Sequence, residues 1–177
     1  MDKITGERCP MCLKNTLTLT EDEQEVPYFG KVFIFSMACT NNECDFKQAD
    51  VEAEEPKDPC RVTFTTENEK DMNVRVVKSS AATIKIPQLH MSVEPGTVAD
   101  GYISNIEGLL QRFEGVLKEQ KDNDEDDAAK KTAKNLLKKL WKVKLGDIQL
   151  KIVIEDPTGN SAIISPKAAV EKLKGKK

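Results

Sequence analysis

Two cysteine pairs constrain the fold of this chain more than any other feature of its sequence. The pairs are Cys9-x2-Cys12 and Cys39-x4-Cys44, and 26 residues separate them. At such spacings a tight turn aims two sulfur atoms at one ion, and two turns supply the tetrahedral four-sulfur shell of structural zinc sites. The sequence therefore predicts one structural Zn²⁺ bound by Cys9, Cys12, Cys39 and Cys44. Because four sulfurs leave no coordination position for water, a catalytic metal is not expected.

A redox function is the main alternative for the first pair, because Cys-x-x-Cys is also the motif of thioredoxin-like oxidoreductases. That function requires a βαβ context, whereas Cys9 and Cys12 lie near the N-terminus, ahead of strand-like segments. It also leaves Cys39 and Cys44 unexplained. One tightly held zinc ion with four unreactive thiols would exclude a thiol oxidoreductase.

Two further residues bear on whether the chain is an enzyme. The fifth cysteine, Cys60, lies at the start of a predicted strand, and we interpret it as a small, partly buried thiol rather than a fifth ligand. His90 is the only histidine of the chain, and its neighbours do not build a Ser/His/Asp set. We therefore expect no catalytic residues and no enzyme activity.

The overall composition narrows the class of protein. A formal net charge of -3 over 177 residues argues against a general nucleic-acid-binding protein, which is usually basic. The sequence has no apolar run long enough to span a membrane, and no apolar signal-peptide core near its N-terminus. We therefore expect a cytoplasmic protein in which reduced thiols serve as metal ligands, with no membrane partner.

Sequence patterns divide the chain into three predicted parts. Residues 1–59 hold both cysteine pairs and two strand-like segments joined by an acidic loop at 21–25, and they end in an acidic linker at 45–59. Residues 60–165 alternate apolar and polar side chains, which predicts a β domain, with a helical hairpin inserted at about 104–144. The lysine-rich residues 166–177 predict a frayed basic tail or a short helix.

Local signals place the ends of the hairpin and one turn. Ser104, with Glu107 three residues later, predicts a capping box that begins the first helix. An acidic run breaks that helix, and the second helix is predicted at about residues 126–143. The sequence DPTGN at 156–160 predicts a turn, with a binding loop as the alternative. The predicted fold class is mainly β with a helical hairpin.

Five sequence phrases, taken in order, carry a family likeness: CPMC, VPYFGKVFIFSMAC, RVVKSSAATIKIP, GYISNIEGLLQRF and EDPTGNSAI. With them the chain resembles the ZPR-type zinc-finger family over nearly its whole length, in the single-module archaeal form. The resemblance implies a small zinc-ribbon-like finger, similar to that of an initiation factor 2 subunit. A double-stranded β-helix domain bearing a helical hairpin follows the finger. Eukaryotic members are similar to two such modules in tandem.

The resemblance also implies a function and a ligand set. Eukaryotic relatives bind translation elongation factor 1-alpha and assist its folding. We therefore expect a zinc-binding adaptor or folding chaperone that binds this factor. The family's zinc ligands match Cys9, Cys12, Cys39 and Cys44. The family's second pair is typically Cys-x2-Cys, so the longer turn that contains Glu43 distinguishes this chain.

The phrase RVVKSSAATIKIP supplies the candidate partner contacts. We predict that Arg75, Lys78, Ser79 and Ser80 are exposed and available to a partner, the alternative being two structural strands and a turn.

A ribosome- or RNA-associated zinc ribbon is the alternative function. It predicts a salt-dependent affinity for RNA that is lost when the lysines of the hairpin and the tail are neutralised. The net negative charge makes nucleic acid a possible but not a favoured partner.

Overall fold

The computed structural model describes residues 1–96 and 99–173, and within these ranges the chain begins with a four-stranded antiparallel sheet. We call it the N-terminal sheet. Its strands follow one another in both sequence and space: β1 (Asp2–Glu7), β2 (Leu17–Val26), β3 (Gly30–Cys39) and β4 (Lys47–Ala53). Valine, isoleucine and phenylalanine in β3 favour its extended backbone.

The acidic residues 21–25 are not the predicted loop but the second half of β2. Here exposed Glu21, Glu23 and Glu25 alternate with less exposed residues, and all ten residues of β2 pair with β3. Pairing along this long ladder outweighs the poor strand propensity of acidic residues. The connection shrinks to a tight turn in which the Phe29 N–H donates to the Val26 carbonyl at 3.1 Å.

The prediction of an acidic linker at 45–59 is also wrong for part of this range, since residues 47–53 form β4. Pairing runs from Ala38↔Lys47 to Val32↔Ala53. Buried Val51 lies between exposed or half-exposed charged residues, so the alternation was present but was hidden by the acidic composition. The strand forms because it satisfies the backbone hydrogen-bonding groups along the free edge of β3.

The described residues after 59 add eight strands, which form the β domain. They are β5 (Cys60–Thr66), β6 (Arg75–Lys78), β7 (Thr83–Ile86), β8 (Met91–Val93), β9 (Tyr102–Asn105), β10 (Leu150–Asp156), β11 (Ala162–Ile163) and β12 (Ala169–Lys172). One sheet has the order β12-β5-β10-β7-β8, and the other has the order β11-β6-β9. The predicted fold class, mainly β with a helical hairpin, is confirmed.

Both β-domain sheets and the helical hairpin share one buried apolar cluster. In β5 the buried Val62 and Phe64 alternate with less buried neighbours, as period-two patterning requires. Fully buried members include aliphatic side chains of the strands and of both helices: Ile84, Ile152, Ile154, Leu109, Leu110 and Leu140. The core is therefore largely aliphatic, as the small aromatic content of the chain requires.

The predicted hairpin consists of α1 (Ile106–Asn123) and α2 (Asp127–Lys144). The first cap is Asn105 rather than Ser104, and its side chain accepts a hydrogen bond from the Gly108 N–H at 2.8 Å. Ser104 is still paired with Val76 inside β9, so the helix begins only where that ladder ends. Among the described residues, no helix combines the length and the apolar character that crossing a membrane requires.

The predicted basic tail is partly a strand. Residues 169–172 form β12, which pairs with β5 from Ala169↔Thr63 to Lys172↔Cys60. The prediction of a frayed end or a short helix is therefore wrong for these residues, because β5 offers an edge that sequence patterns cannot show. Residues 174–177, the end of the predicted tail, lie outside the described residues.

Polar contacts join β4 of the N-terminal sheet to the β domain, and we call this contact the seam. The Asp50 carboxylate accepts a hydrogen bond from the Ser80 N–H at 2.7 Å. The Gly101 N–H donates to the Ala49 carbonyl at 2.8 Å. A Cβ at Gly101 would lie 2.8 Å from the Val51 nitrogen, so this close approach requires glycine.

Apolar side chains complete the seam. A small buried cluster brings Val26, Val32 and Val51 of the N-terminal sheet against Val77 of β6. One face of the N-terminal sheet is therefore covered by the β domain, whereas the opposite face points to solvent.

Candidate metal centre

The four cysteines of the two pairs lie together at one end of the N-terminal sheet. Their sulfur atoms are all within 4.8 Å of one another. The Sγ atoms of Cys9 and Cys44 are 3.8 Å apart, and those of Cys12 and Cys39 are 3.7 Å apart. Four sulfurs bound to zinc at about 2.3 Å in a tetrahedron are separated by about 3.8 Å. The donor set therefore fits a zinc ion.

A tight turn between β1 and β2 presents the first pair. The Leu13 N–H donates to the Cys9 carbonyl at 2.9 Å, and the Cys9 N–H donates to the Lys14 carbonyl at 2.9 Å. These two bonds close the turn on both sides, so Cys9 and Cys12 point in the same direction. Zinc sites of this type are built from such turns because one short loop then supplies two ligands.

The second pair tolerates its longer spacing because the extra residues form a turn of their own. Cys39 is the last residue of β3, and the Cys44 N–H donates to the Asn41 carbonyl at 2.9 Å. Glu43 points outward and forms an exposed ion pair with Lys14 at 3.3 Å. The departure from the family's Cys-x2-Cys spacing therefore does not keep Cys44 away from the other sulfurs.

Hydrogen bonds shift the pKa values of the clustered thiols in opposite directions. A backbone hydrogen bond from Lys14 lowers the pKa of Cys12 to about 6. The Thr16 hydroxyl, 3.2 Å from Cys39 Sγ, lowers the pKa of Cys39. At Cys44 a backbone hydrogen bond from Phe46 lowers the pKa, but desolvation and the neighbouring thiols outweigh it and raise the pKa to about 11. A divalent cation stabilises all four thiolates together.

Thr16 is a contributor to the cluster that sequence reasoning did not find. Its hydroxyl lies within hydrogen-bonding distance of both Cys12 and Cys39. It stands just before β2, and no spacing rule relates a threonine at this point to a metal site. Only the folded hairpin of β2 and β3 brings it against the sulfurs.

Leu13 stores backbone strain in the first turn, because its φ of 62° lies in the left-handed region. Its side chain is exposed, so little packing offsets this strain. We expect Leu13→Gly to stabilise the zinc-loaded chain by about 1 kcal/mol, since glycine adopts this conformation without strain. Thermal unfolding of the zinc-loaded protein measures the effect.

Met11→Gly is the matched control, because Met11 is an exposed residue of the same turn with no positive φ. There glycine adds only freedom to the unfolded chain, so we expect a small loss of stability. Equal losses for both variants would show that the left-handed backbone at Leu13 is not maintained in solution.

The four candidate partner contacts do not share one environment. Arg75 is exposed, but Lys78 and Ser79 are only 4% and 2% exposed, so the predicted exposure of these two is wrong. The Lys78 ammonium donates to the carbonyls of Ser79 at 2.9 Å and Asp100 at 3.1 Å, and burial lowers the pKa of Lys78. Ser80 is half-buried and belongs to the seam.

Lys78 is the last residue of β6 and Ser79 follows it, and both faces of this strand are covered. Side chains alternate along a strand, so Val76 points into the β-domain core and Val77 into the seam. Sequence alternation predicts one solvent-facing side, and it cannot show that the N-terminal sheet covers the second.

Asp156 organises the predicted turn at 156–160 from inside the protein. Its fully buried carboxylate accepts hydrogen bonds from Ser79 Oγ at 2.8 Å and from the Thr158 N–H at 2.8 Å. The Thr158 and Ser161 hydroxyls also donate to it. The turn itself is confirmed, and Gly159 has a φ of 74°. Its serine and threonine hydroxyls are engaged internally.

Cys60 and His90 lie apart from the cysteine cluster. Cys60 is buried at the start of β5, and burial, followed by the nearby Asp156 carboxylate, raises the pKa of its thiol. As expected, Cys60 lies outside the four-sulfur group, and it is more fully buried than the partly buried thiol we predicted. His90 is exposed at the end of a short 3₁₀ helix, Pro87–Leu89.

Comparison with a known family identifies the larger part of the chain. Residues 70–176 match the ZPR1 jelly-roll domain. The match includes the helical hairpin and β10. A jelly roll is a double-stranded β-helix, so the architecture implied by the sequence resemblance is confirmed.

Comparisons with individual proteins extend this similarity to the cysteine-containing part of the chain. A ZPR1-like protein of Methanocaldococcus jannaschii is 36% identical over 165 residues, which cover 93% of this chain and 82% of that protein. A ZPR1-like protein of Pyrococcus horikoshii is 37% identical over 169 residues, which cover 93% of this chain and 75% of that protein. The zinc finger chaperone zpr1 of Schizosaccharomyces pombe is 31% identical over 162 residues, and those residues cover 33% of its length.

Proposed function

The chain belongs to the ZPR1 family, and from this premise we propose that it is a zinc-dependent adaptor or folding chaperone for translation elongation factor 1-alpha. The observation that carries the proposal is the four-cysteine cluster, which fits zinc in a chain of a family whose fission yeast member is named a chaperone. The factor itself comes from the resemblance to eukaryotic members that bind it. A chain with this role would act in the cytoplasm.

Cys9, Cys12, Cys39 and Cys44 would hold the zinc ion. Bound zinc would supply cross-linking rather than catalysis, because four thiolates complete its shell. These cysteines come from the ends of β1 and β3 and the approaches to β2 and β4. Joining them fixes one end of the N-terminal sheet, whose small buried cluster otherwise depends on the β domain.

The proposed role requires a rigid surface rather than a reaction centre. The seam attaches the N-terminal sheet to the β domain through backbone and side-chain hydrogen bonds. Relatives in this family are named zinc finger proteins or a zinc finger chaperone, which supports a non-enzymatic role. The N-terminal sheet, the β domain and the hairpin would together form the interface with the factor.

The direct test is native mass spectrometry of the zinc-loaded chain mixed with its cognate elongation factor 1-alpha. The factor is offered nucleotide-free, GDP-bound, and freshly diluted from denaturant. We expect a one-to-one complex in at least one of these states, and the complex should disappear when zinc is removed by a chelator. The proposal is overturned if no complex forms in any state.

One observation favours RNA binding as a second candidate function. On α2 the exposed Lys131, Lys134, Lys138 and Lys142 recur at intervals of three or four residues, so they form one stripe. Trp141 lies beside this lysine stripe and is 62% exposed. Within the described residues, none of these four lysines takes part in a salt bridge. A positive stripe next to an exposed aromatic ring suits single-stranded RNA.

Replacing the four lysines of the lysine stripe by glutamine tests the RNA alternative. If the stripe contacts phosphates, the slope of log affinity against log salt should fall by about 3 units for single-stranded RNA. Fluorescence anisotropy with a labelled oligouridine at several salt concentrations measures this slope.

A matched control replaces Lys3, Lys47, Lys70 and Lys151, which are exposed at other places, by glutamine. Equal salt slopes for the two quadruple variants would remove RNA binding through α2 from consideration.

A further inference from the structure

The solvent-facing side of the N-terminal sheet carries apolar side chains that the fold does not cover. Ile4, Leu19 and Met37 are directly paired across β1, β2 and β3, and Phe35 is paired with Glu21 in the next row. Residues paired in this way point to the same side of the sheet. Ile4 is 57% exposed and Phe35 is 37% exposed. We call this side the outer face.

The two faces of the N-terminal sheet differ in whether their apolar side chains are covered. The opposite side buries Val26, Val32 and Val51 in the seam. The N-terminal sheet thus has two apolar faces, and only one of them is covered. Apolar rows on both sides of a sheet are typical of a sheet that is covered on both sides.

A groove of about 490 Å³ runs over the outer face. Its apolar lining comes from Ile4, Leu19, Phe35 and Met37. Its charged lining is entirely acidic: Asp2, Glu21, Asp50 and Glu52.

Three of these carboxylates are available to a partner. Asp50 is engaged in the seam, but Asp2, Glu21 and Glu52 are exposed. Within the described part of the chain, these three form no salt bridge. The groove therefore combines an apolar floor with unpaired negative charge.

The outer face already binds one lysine side chain of this chain, between an aromatic ring and a carboxylate. Lys31 places its ammonium 5.3 Å from the centre of the Phe33 ring and 2.6 Å from a Glu23 carboxylate oxygen. Phe33 is paired with Glu23 and Glu52, so it belongs to the outer face, and its ring lies 6.3 Å from that of Phe35. An aromatic ring with a carboxylate beside it is a good site for a long cationic side chain.

We propose that the outer face docks a basic segment of a protein partner. The alkyl stems of its lysine or arginine side chains lie on Ile4, Leu19, Phe35 and Met37, and their charged ends reach Asp2, Glu21 and Glu52. An anionic partner such as RNA or a phospholipid surface is repelled by the same carboxylates. The inference deepens the proposed function and rests on it only in that the partner is a protein.

The test uses the full, zinc-loaded chain and two short synthetic peptides of equal length. One alternates lysine with leucine, and the other alternates glutamate with leucine. We expect the basic peptide to bind and to shift the amide NMR signals of β1 to β4, and the acidic peptide not to bind. Shifts by the basic peptide that are confined to the β domain or the hairpin would overturn the proposal.

Reversing the charge of the three exposed carboxylates of the groove tests the proposal quantitatively. We expect the triple variant Asp2→Lys, Glu21→Lys, Glu52→Lys to weaken binding of the basic peptide by about tenfold or more. The control triple variant Glu94→Lys, Glu119→Lys, Glu125→Lys changes the net charge equally at exposed sites elsewhere. It should weaken binding by less than about threefold. Equal losses in the two triple variants would mean attraction to net charge alone, and would overturn the docking site.

A single uncharged substitution tests the apolar floor. Ile4→Thr keeps a β-branched residue in the exposed edge strand β1, so the fold is retained. It should weaken binding of the basic peptide about twofold to fivefold, since it removes apolar contact without altering charge. Unchanged affinity would overturn the proposal that the alkyl stems of the partner's lysine or arginine side chains lie on the apolar floor.

The same variants distinguish this inference from the proposed function. If elongation factor 1-alpha binds the native chain and the outer-face triple variant equally well, the proposed function is supported. The proposal that the factor docks on the outer face is then overturned. If the factor does not bind but the basic peptide binds the outer face, the proposed function fails and the docking site stands.

Discussion

Replacing Cys39 by serine is expected to remove the zinc ion and to unfold the N-terminal sheet while the β domain stays folded. The sheet's own buried cluster consists of Val26, Val32 and Val51 with Val77 of β6, which is too small to hold four strands alone. Structural zinc contributes on the order of 10 kcal/mol in zinc-finger peptides, so its loss outweighs this apolar burial. Elemental analysis should find zinc falling from about one ion per chain to well below one.

Amide NMR signals locate the damage in the Cys39→Ser variant. Signals of β1 to β4 should collapse to unfolded positions, whereas those of β5 and β10 should persist. Cys60→Ala is the control, because Cys60 is also a buried cysteine but lies outside the four-sulfur cluster. It should keep its zinc and its N-terminal sheet. A Cys39→Ser chain with full zinc content would contradict the assignment of the four ligands.

Replacing Asp156 by alanine is expected to destabilise the β domain by about 3–5 kcal/mol. Its carboxylate is fully buried and accepts hydrogen bonds from Ser79, Thr158 and Ser161. Alanine would leave the buried hydroxyl groups of Ser79 and Ser161 without this acceptor, and desolvated donors without partners are costly. Urea-induced unfolding followed by circular dichroism measures the change in the free energy of unfolding.

Asp147→Ala is the matched control for this prediction. Asp147 follows α2 with its side chain exposed, so its loss should change the free energy of unfolding by about 0.5 kcal/mol or less. If Asp156→Ala were no more destabilising than Asp147→Ala, the buried hydrogen-bond network at residues 156–161 would not exist in solution.

Features that depend on near neighbours in the chain were predictable. The cysteine spacings predicted a four-sulfur group, and the sulfurs do lie within 4.8 Å of one another. Apolar residues at helical spacing predicted the hairpin, and DPTGN predicted the turn. Such signals work because a helix, a knuckle or a turn is closed by contacts between residues only a few positions apart.

Features that depend on distant partners were not predictable. Acidic residues hid the second half of β2 and the whole of β4, which form because β3 offers hydrogen-bonding edges on both sides. The lysine-rich end hid β12, which exists because β5 has a free edge. In each case pairing with a remote strand outweighed a local composition that favours loops.

The sequence by itself determined that four sulfurs can meet and that a helical hairpin interrupts a β domain. Its 5% aromatic content also determined that the core is largely aliphatic. Only the tertiary structure decided which polar residues are available. It buries Lys78 and Ser79, which form hydrogen bonds to Asp100 and Asp156 of the β domain, and it leaves Ile4 and Phe35 exposed beside acidic side chains. The physical reason is that burial is a property of two surfaces in contact, and alternation along one strand describes only one of them.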